Sequence, residues 1–345
     1  MEEGTIRIRT KDMASVRLKN GWWVKAHLEF PNIMRILSFY EAHKAIKFCL
    51  NPKEPKFFRG ELSPKGKPKG GRILYLPNGK KLDHAFPIFA PHLALHDESS
   101  HDHWDALYQN TGGGFSYCYT EDKIAQASKK KYRKVHEFAK VYSQLKRKVN
   151  LALKNPKDNL ALPMYTLLTT YMRIGNEIYL KADGHKGLTT LTKKDISVKG
   201  NVVTFKYVAK DGVPRKIYGE FPKVYVKRLK QRLRRIDGGS FVFANRGQKH
   251  PLRDTQFKEA FKRYVGKEFY PHIVRSYIAT KETQKFLKKE KFTKQEMRNF
   301  FSELAYMLGH KKFDKNDNEW KPSYSVTLAY YVEPKLVERV KARAQ

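Results

Sequence analysis

From Thr5 to Phe30 apolar and polar residues alternate: Ile6 and Ile8, then Val16 and Leu18, then Trp22, Val24, Ala26 and Leu28. A period of two belongs to short β-strands, and Lys19-Asn20-Gly21 supplies a turn between them. Ile33 to Leu50 changes to helical spacing. The Pro-, Gly- and Lys-rich stretch 51–71 has no period and reads as loop; a strand-like piece, Ile73 to Leu76, follows with the turn Pro77-Asn78-Gly79. The first hundred residues therefore predict a mainly β domain with one or two helices.

Past Gly112-Gly113-Gly114 the pattern changes. Phe115 to Tyr119 alternates as one more strand, with Tyr117 and Tyr119 on one face. Ser128 to Val135, SKKKYRKV, opens a long basic helix that runs to about Lys154. Leu160 to Tyr171 is apolar and reads as a buried helix, whereas Val202 to Val208 and Arg215 to Tyr218 flank Lys210-Asp211-Gly212 as a β-hairpin with Lys210 at its tip. Val224 to Ile236, Asp254 to Tyr264 and Phe292 to Leu308 are helical in period, Phe241 to Ala244 is a short buried strand or turn, and Pro334 to Gln345 closes the chain as a helix. The expectation is an α+β protein, with a small β-rich domain over 1–120 and a larger, mainly helical domain over 121–345 that holds a small antiparallel sheet.

Charge narrows the function. The formal net charge is +36, far more than solubility needs. Residues 1–110 hold 18 basic and 12 acidic residues and the remainder 52 and 22, so the second domain should hold a polyanion, with nucleic acid the leading partner. Cys49 and Cys118 have neither metal spacing nor a disulfide framework, which fits a reducing compartment. The lack of a signal peptide or a bilayer-spanning run predicts a soluble intracellular protein. His96, His101 and His103 among Asp97, Glu98, Asp102 and Asp105 raise the question of a metal, but the spacing is that of a polar surface loop before the apolar turn Trp104 to Tyr108, and no metal is expected. Gly112 to Gly114 lacks a following Lys-Ser/Thr, so no nucleotide cofactor is expected either.

Five segments carry candidate chemistry. Arg173 ends the apolar helix, where a charge must have a partner, and phosphate is the natural one. It leads through Gly175-Asn176-Glu177 to a strand start at Gly187-Leu-Thr-Thr-Leu191. Lys210 sits on its hairpin. His272 and Arg275 stand three apart on one helix face after Pro271. Leu308-Gly309-His310 ends a helix at glycine, and a polar insertion, 311–323, separates it from Tyr330-Tyr331-Val332-Glu333-Pro334.

Together these resemble the active-site segments of type IB DNA topoisomerases of the short poxvirus and bacterial form, within the tyrosine recombinase superfamily. Arg-Ile-Gly with Gly-Leu-x-Thr-Leu is similar to the first-arginine segment, and Tyr-Val-Ala-Lys-Asp-Gly to the lysine hairpin. Tyr270 to Thr280 is similar to the second-arginine helix, Leu-Gly-His to the histidine position, and Tyr-Val-Glu-Pro to the tyrosine ending. The resemblance implies that Arg173 and Arg275 clamp the nonbridging phosphate oxygens, His310 donates a hydrogen bond to one of them, and Lys210 protonates the departing 5′ oxygen. Tyr331 would be the nucleophile, with Tyr330 the alternate. Tyr117, Tyr119, Lys129, Lys130, Lys131 and His272 would contact DNA. The implied activity is relaxation of supercoiled duplex DNA by transient single-strand cleavage through a 3′-phosphotyrosine, swivelling and religation, without ATP, metal or other cofactor. The implied form is a monomeric C-shaped clamp, placed wherever the DNA is: nucleus, nucleoid or viral replication site. Two features depart from the pattern. The insertion lengthens the usual connection from histidine to tyrosine, and His272 stands where many topoisomerases have lysine. His-x-x-Arg is the tyrosine recombinase form, so a site-specific recombinase is the alternative reading and a non-catalytic DNA-binding protein a third.

Overall fold

The alternation at the start of the chain becomes an antiparallel sheet in which Trp22–Lys25, Ser15–Lys19, Ile6–Ile8, Glu61–Leu62 and Pro68–Lys69 lie side by side in that order. Asn20 and Gly21 both take left-handed φ, 50° and 80°, the geometry of a two-residue hairpin turn whose twist matches the strands it joins. The computed structural model describes residues 1–96, 103–110, 112–245 and 249–345. Asp97, Glu98, His101 and Asp102 of the histidine-rich segment lie outside the described residues.

Two units pack separately, Met1–Lys130 and Lys131–Gln345. In the first, helix α1 (Pro31–Ala42) buries Ile33, Ile36, Leu37 and Tyr40, one stripe at helical spacing, in a core with Ile6, Ile8, Phe58 and Phe86. Two expectations change here. The stretch 51–71 is not loop throughout, since Glu61–Leu62 and Pro68–Lys69 pair with each other. The apolar turn near Tyr108 is instead a strand, Ala106–Gln109, paired to Phe115–Cys118, because the intervening glycines reverse the chain and let both segments hydrogen-bond. Cys118 lies inward and its thiol is 3.2 Å from His84 Nε2, whose Nδ1 is 2.9 Å from Asp83. Burial pushes that thiol up to about 12, so it is a protonated donor to the imidazole.

The boundary falls inside helix α2 (Glu121–Ala152), which is 32 residues long and buries Tyr132, Val135, Phe138, Tyr142, Leu145 and Val149. Helices α3 (Ala161–Thr170) and α4 (Glu177–Asp183) follow. Next comes a three-stranded antiparallel sheet of Ile196–Lys199, Val202–Val208 and Pro214–Glu220. Helices α5 (Lys223–Arg234), α6 (Asp254–Val265), α7 (Ile273–Phe286) and α8 (Lys294–Leu308) complete the main core. Every residue of α7 from Ile273 to Thr280 is buried, which makes it the central helix of this unit. The polar insertion is itself ordered as a hairpin, Lys311–Asp314 with Glu319–Pro322, closed by Phe313 against Trp320. Helices α9 (Tyr324–Tyr330) and α10 (Pro334–Arg343) then pack with α7 and α8 around Ala279, Phe301, Leu304, Tyr331, Val332 and Leu336. The fold is thus α+β. No helix among the described residues is long and apolar enough to cross a membrane.

Candidate active site

Arg173 is held by its backbone. Helix α3 stops at Tyr171, whose φ is 54°, and the chain turns out into an extended run. The carbonyl of Arg173 accepts from Leu188 N at 2.8 Å, and Gly175 O accepts from the Thr189 hydroxyl at 3.2 Å. This approach needs glycine on both sides: a Cβ on Gly187 would lie 2.7 Å from Arg173 O, and one on Gly175 2.3 Å from Thr190 Oγ1. The Gly-Leu-Thr-Thr segment is therefore not a strand start but a 3₁₀ turn, closed by Gly187 N donating to Thr190 Oγ1 at 2.9 Å.

Lys210 stands on the connection between the two long strands, where Asp211 and Gly212 both have left-handed φ. It is exposed. Gly212 N donates to His185 Nε2 at 3.0 Å and Lys186 N to Val208 O at 2.8 Å, so one side of this hairpin is tied to the segment that leads to Gly187.

Arg275 projects from α7 and is 1% exposed. Its Nη1 donates to Tyr171 O at 2.6 Å and its Nη2 to Leu308 O at 2.8 Å and His310 Nε2 at 2.9 Å. Nε is buried and has no partner among the described residues. No carboxylate pairs with Arg173 or Arg275 among the described residues, and burial holds Arg275 down at about 10, still charged at neutral pH. A buried cation without a counter-ion costs several kcal/mol, a cost that an arriving anion relieves.

His310 follows a Schellman-type helix end, in which Gly309 takes φ 76° and His310 N donates to Ala305 O at 2.8 Å. An arginine has donors only, so His310 Nε2 must accept from Arg275, and the ring proton lies on Nδ1, which donates to Thr327 Oγ1 at 2.7 Å. Burial, reinforced by Arg275 and Arg173, holds His310 down at about 2. His272 is likewise held at about 3, by burial and then by Arg275, Arg173, Lys131 and Lys210. Both rings are neutral.

The two tyrosines separate cleanly. Tyr330 ends α9 and is 66% exposed, whereas Tyr331 turns inward and is 3% exposed. The Tyr331 hydroxyl is 2.8 Å from His272 Nε2, and its ring lies 5.1 Å from the Arg275 guanidinium, 5.9 Å from that of Arg173 and 4.6 Å from the His310 ring. Helix α2 holds this corner, with Tyr132 OH donating to Val332 O at 2.6 Å and Lys131 Nζ donating to Tyr330 O.

Arg173, Lys210, Arg275 and His310 line one cleft of about 90 Å³, with Tyr331 packed beneath Arg275. His272 and Lys131, which the sequence placed among DNA contacts, touch Tyr331 itself: Lys131 lies 5.5 Å from its ring, and burial lowers that amine to about 8. Lys129 and Lys130 are exposed on α2, and Tyr117 is exposed on its strand, where it and Tyr119 flank the ring of His103. Two participants escape a reading of the sequence. Thr327 is wholly buried and lies four residues before Tyr331, one helical turn away on the same face. Arg215, 7% exposed, occupies the inward face of its strand between Val213 and Ile217; a charge in an apolar alternation is the signal that could have found it.

Two guanidiniums without counter-ions among the described residues and two neutral imidazoles thus lie around one inward phenol, with a lysine lining the same cleft, an arrangement suited to an anion. Residues 121–321 match the family described as eukaryotic DNA topoisomerase I, catalytic core, which is more than half of the chain, and the chain belongs to that family. The match includes Arg173, Lys210, Arg275 and His310 and stops short of Tyr331. DNA topoisomerase 1B of Acanthamoeba polyphaga mimivirus is 23% identical over 223 residues, 59% of this chain; the chain spans 66% of that relative's length. Among solved structures, the post-cleavage complex of the XerH site-specific recombinase with palindromic difH is 16% identical with a TM-score of 0.37, over 58% of this chain and 50% of that one. The pre-cleavage XerH complex with difH is 14% identical with a TM-score of 0.35, over 58% and 49%. At these scores the structural likeness carries no argument.

Proposed function

We propose that the protein is a type IB DNA topoisomerase that relaxes supercoiled duplex DNA through a 3′-phosphotyrosine. The observation that carries the reading is Tyr331, seated within reach of both arginines and hydrogen-bonded to a neutral histidine. The phenolic oxygen attacks phosphorus and gives its proton to His272, a P–O bond forms to Tyr331, and the bond to the 5′ oxygen breaks. Arg173 and Arg275 meet the charge that builds on the nonbridging oxygens, and the unpaired Nε of Arg275 is a donor free for one of them. His310 holds Arg275 from one side and is itself fixed by Thr327. In this resting arrangement its Nε2 accepts from Arg275, so any donation to phosphate follows a shift of that bond. Lys210 protonates the departing 5′ oxygen. The bond energy stays in the protein–DNA link, so religation needs no ATP, and the strand end can swivel before the reverse attack. Lys129, Lys130, Lys131, Tyr117 and Tyr119 are assigned to the duplex, and a monomer suffices.

A site-specific recombinase shares this chemistry, and the contact of His272 with Tyr331 favours it to the extent that His-x-x-Arg is the recombinase form. Relaxation of supercoiled plasmid in EDTA without ATP, with Tyr331→Phe alongside, tests the proposal. Relaxation by the wild type alone supports both activity and nucleophile. A covalent adduct surviving in Tyr331→Phe moves the role to Tyr330, and a tetrameric synapse on short duplexes without relaxation favours recombination.

A further inference from the structure

Arg215 lies on the strand that returns from Lys210, opposite Tyr207, and is 7% exposed. Among the described residues no carboxylate pairs with it. Its Nη1 donates to Tyr306 O at 2.7 Å and its Nη2 to Met307 O at 3.1 Å, the last carbonyls before Leu308-Gly309-His310. A cation at a helix C-terminus meets the negative end of the helix dipole and orphan carbonyls at once. The guanidinium also lies flat on the backbone of Gly309: a Cβ there would stand 2.6 Å from Arg215 Cζ and 2.7 Å from Nε. Gly309 is thus required twice, for its φ of 76° and for this approach. Arg215 further borders the cleft that Lys210, Arg173, Arg275 and His310 share.

The hairpin that carries Lys210 is therefore anchored on both flanks. His185 and Lys186 fasten it to the Arg173 side, through Gly212 and Val208. Arg215 is the fastening on the His310 side. Lys210 is exposed at the end of the hairpin, so its position follows that of the hairpin.

We infer that Arg215 is a positioning residue for the general acid: by clamping the Lys210 hairpin onto the end of α8, it sets the ammonium over the departing 5′ oxygen. The inference rests on the topoisomerase reading and on Lys210 as its acid. It predicts a defect confined to leaving-group protonation. An alkoxide needs that proton, whereas a thiolate, with a reference pKa near 8.5, departs without it.

The test is single-turnover formation of the covalent adduct on a duplex bearing a cleavage site mapped with the wild-type protein. The duplex is made once with oxygen and once with sulfur at the bridging 5′ position of the scissile phosphate. Arg215→Gln and Arg215→Lys should lose about 10- to 100-fold on the oxygen substrate, a general acid being worth about 10² or more, and cleave the sulfur substrate within about threefold of wild type. Lys210→Ala should show the same split. A variant that merely misfolds or loosens the phosphate clamp fails on both substrates, and that result overturns the inference. So does wild-type cleavage of the oxygen duplex by both Arg215 variants. No adduct from the wild-type protein on either duplex sinks the topoisomerase reading itself. A Lys210→Ala variant that sulfur does not rescue removes the acid, and with it the role of Arg215.

Discussion

The hydroxyl of Tyr331 lies 2.8 Å from Nε2 of His272, the residue just before the buried helix α7, whose first turn supplies Arg275. A neutral imidazole, held near 3, can take the phenolic proton throughout the neutral range. His272→Ala should therefore slow adduct formation by about 10²-fold near pH 7, with the loss shrinking as the pH rises and hydroxide takes over removal of the proton. Rates across that pH range check it; an equal fractional loss at every pH would exclude His272 as the proton acceptor.

The same burial makes the second unit sensitive to acid. An unfolded histidine takes up its proton near pH 6.5, whereas folded His272 and His310 hold out to about 3 and 2. Between those values acid favours the unfolded chain. The stability these residues contribute is full above pH 6.5 and is lost as the pH falls, at up to about 1.4 kcal/mol per pH unit for each ring. Denaturant midpoints at pH 7 and pH 5, a window above most carboxylates, should fall less in His272→Gln/His310→Gln than in wild type. Equal falls would contradict the assignment.

Lys131 titrates from the other direction. Its amine is lowered to about 8 by burial, so its charge is present below that pH and lost above it. If it meets a phosphate, replacing it by glutamine should reduce the slope of log affinity against log salt by about 0.9 at pH 7 and make no difference at pH 9. Equal slopes for both proteins at pH 7 would show that Lys131 serves Tyr331 alone.

Gly187→Ala drives a methyl group to within 2.7 Å of Arg173 O, Gly175 N and Ile174 O. Overpacking against backbone costs about 1–3 kcal/mol, and here the strain falls on the segment that aims Arg173. Adduct formation should drop more steeply than the melting temperature suggests, while duplex affinity stays within about threefold of wild type, since the residues proposed to meet the duplex lie outside this segment. A variant with wild-type cleavage would show that Arg173 tolerates displacement.

Periodicity was enough to find most elements, because α2, α5, α6 and α8 each bury one stripe and the long strands of the Lys210 hairpin alternate faithfully. Arg173, Lys210, Arg275 and His310 were legible for a different reason: each stands in a short local signature such as Leu-Gly-His, where backbone geometry and side chain are specified together. What stayed hidden depends on approach between distant segments. Nothing near Thr327 announces His310, and nothing near Gly187 announces the carbonyl of Arg173. The 3₁₀ turn at Leu188–Thr190 reads as a strand start because its β-branched residues favour strands, until the bond from Leu188 N to Arg173 O overrides them.

The corner that seats Tyr331 also has a bearing on how the molecule is made. Helix α9 is only seven residues long and cannot stand alone, and the groups that pin its end, Lys131 and Tyr132, come 199 and 200 positions earlier in the chain. Contacts of that span close late, after the helices between them have packed. On the proposed function, a partly folded chain would hold its arginines and basic helix before its tyrosine is in place, able to grip a polyanion and unable to cut it. The proposed nucleophile is then the last group to be seated.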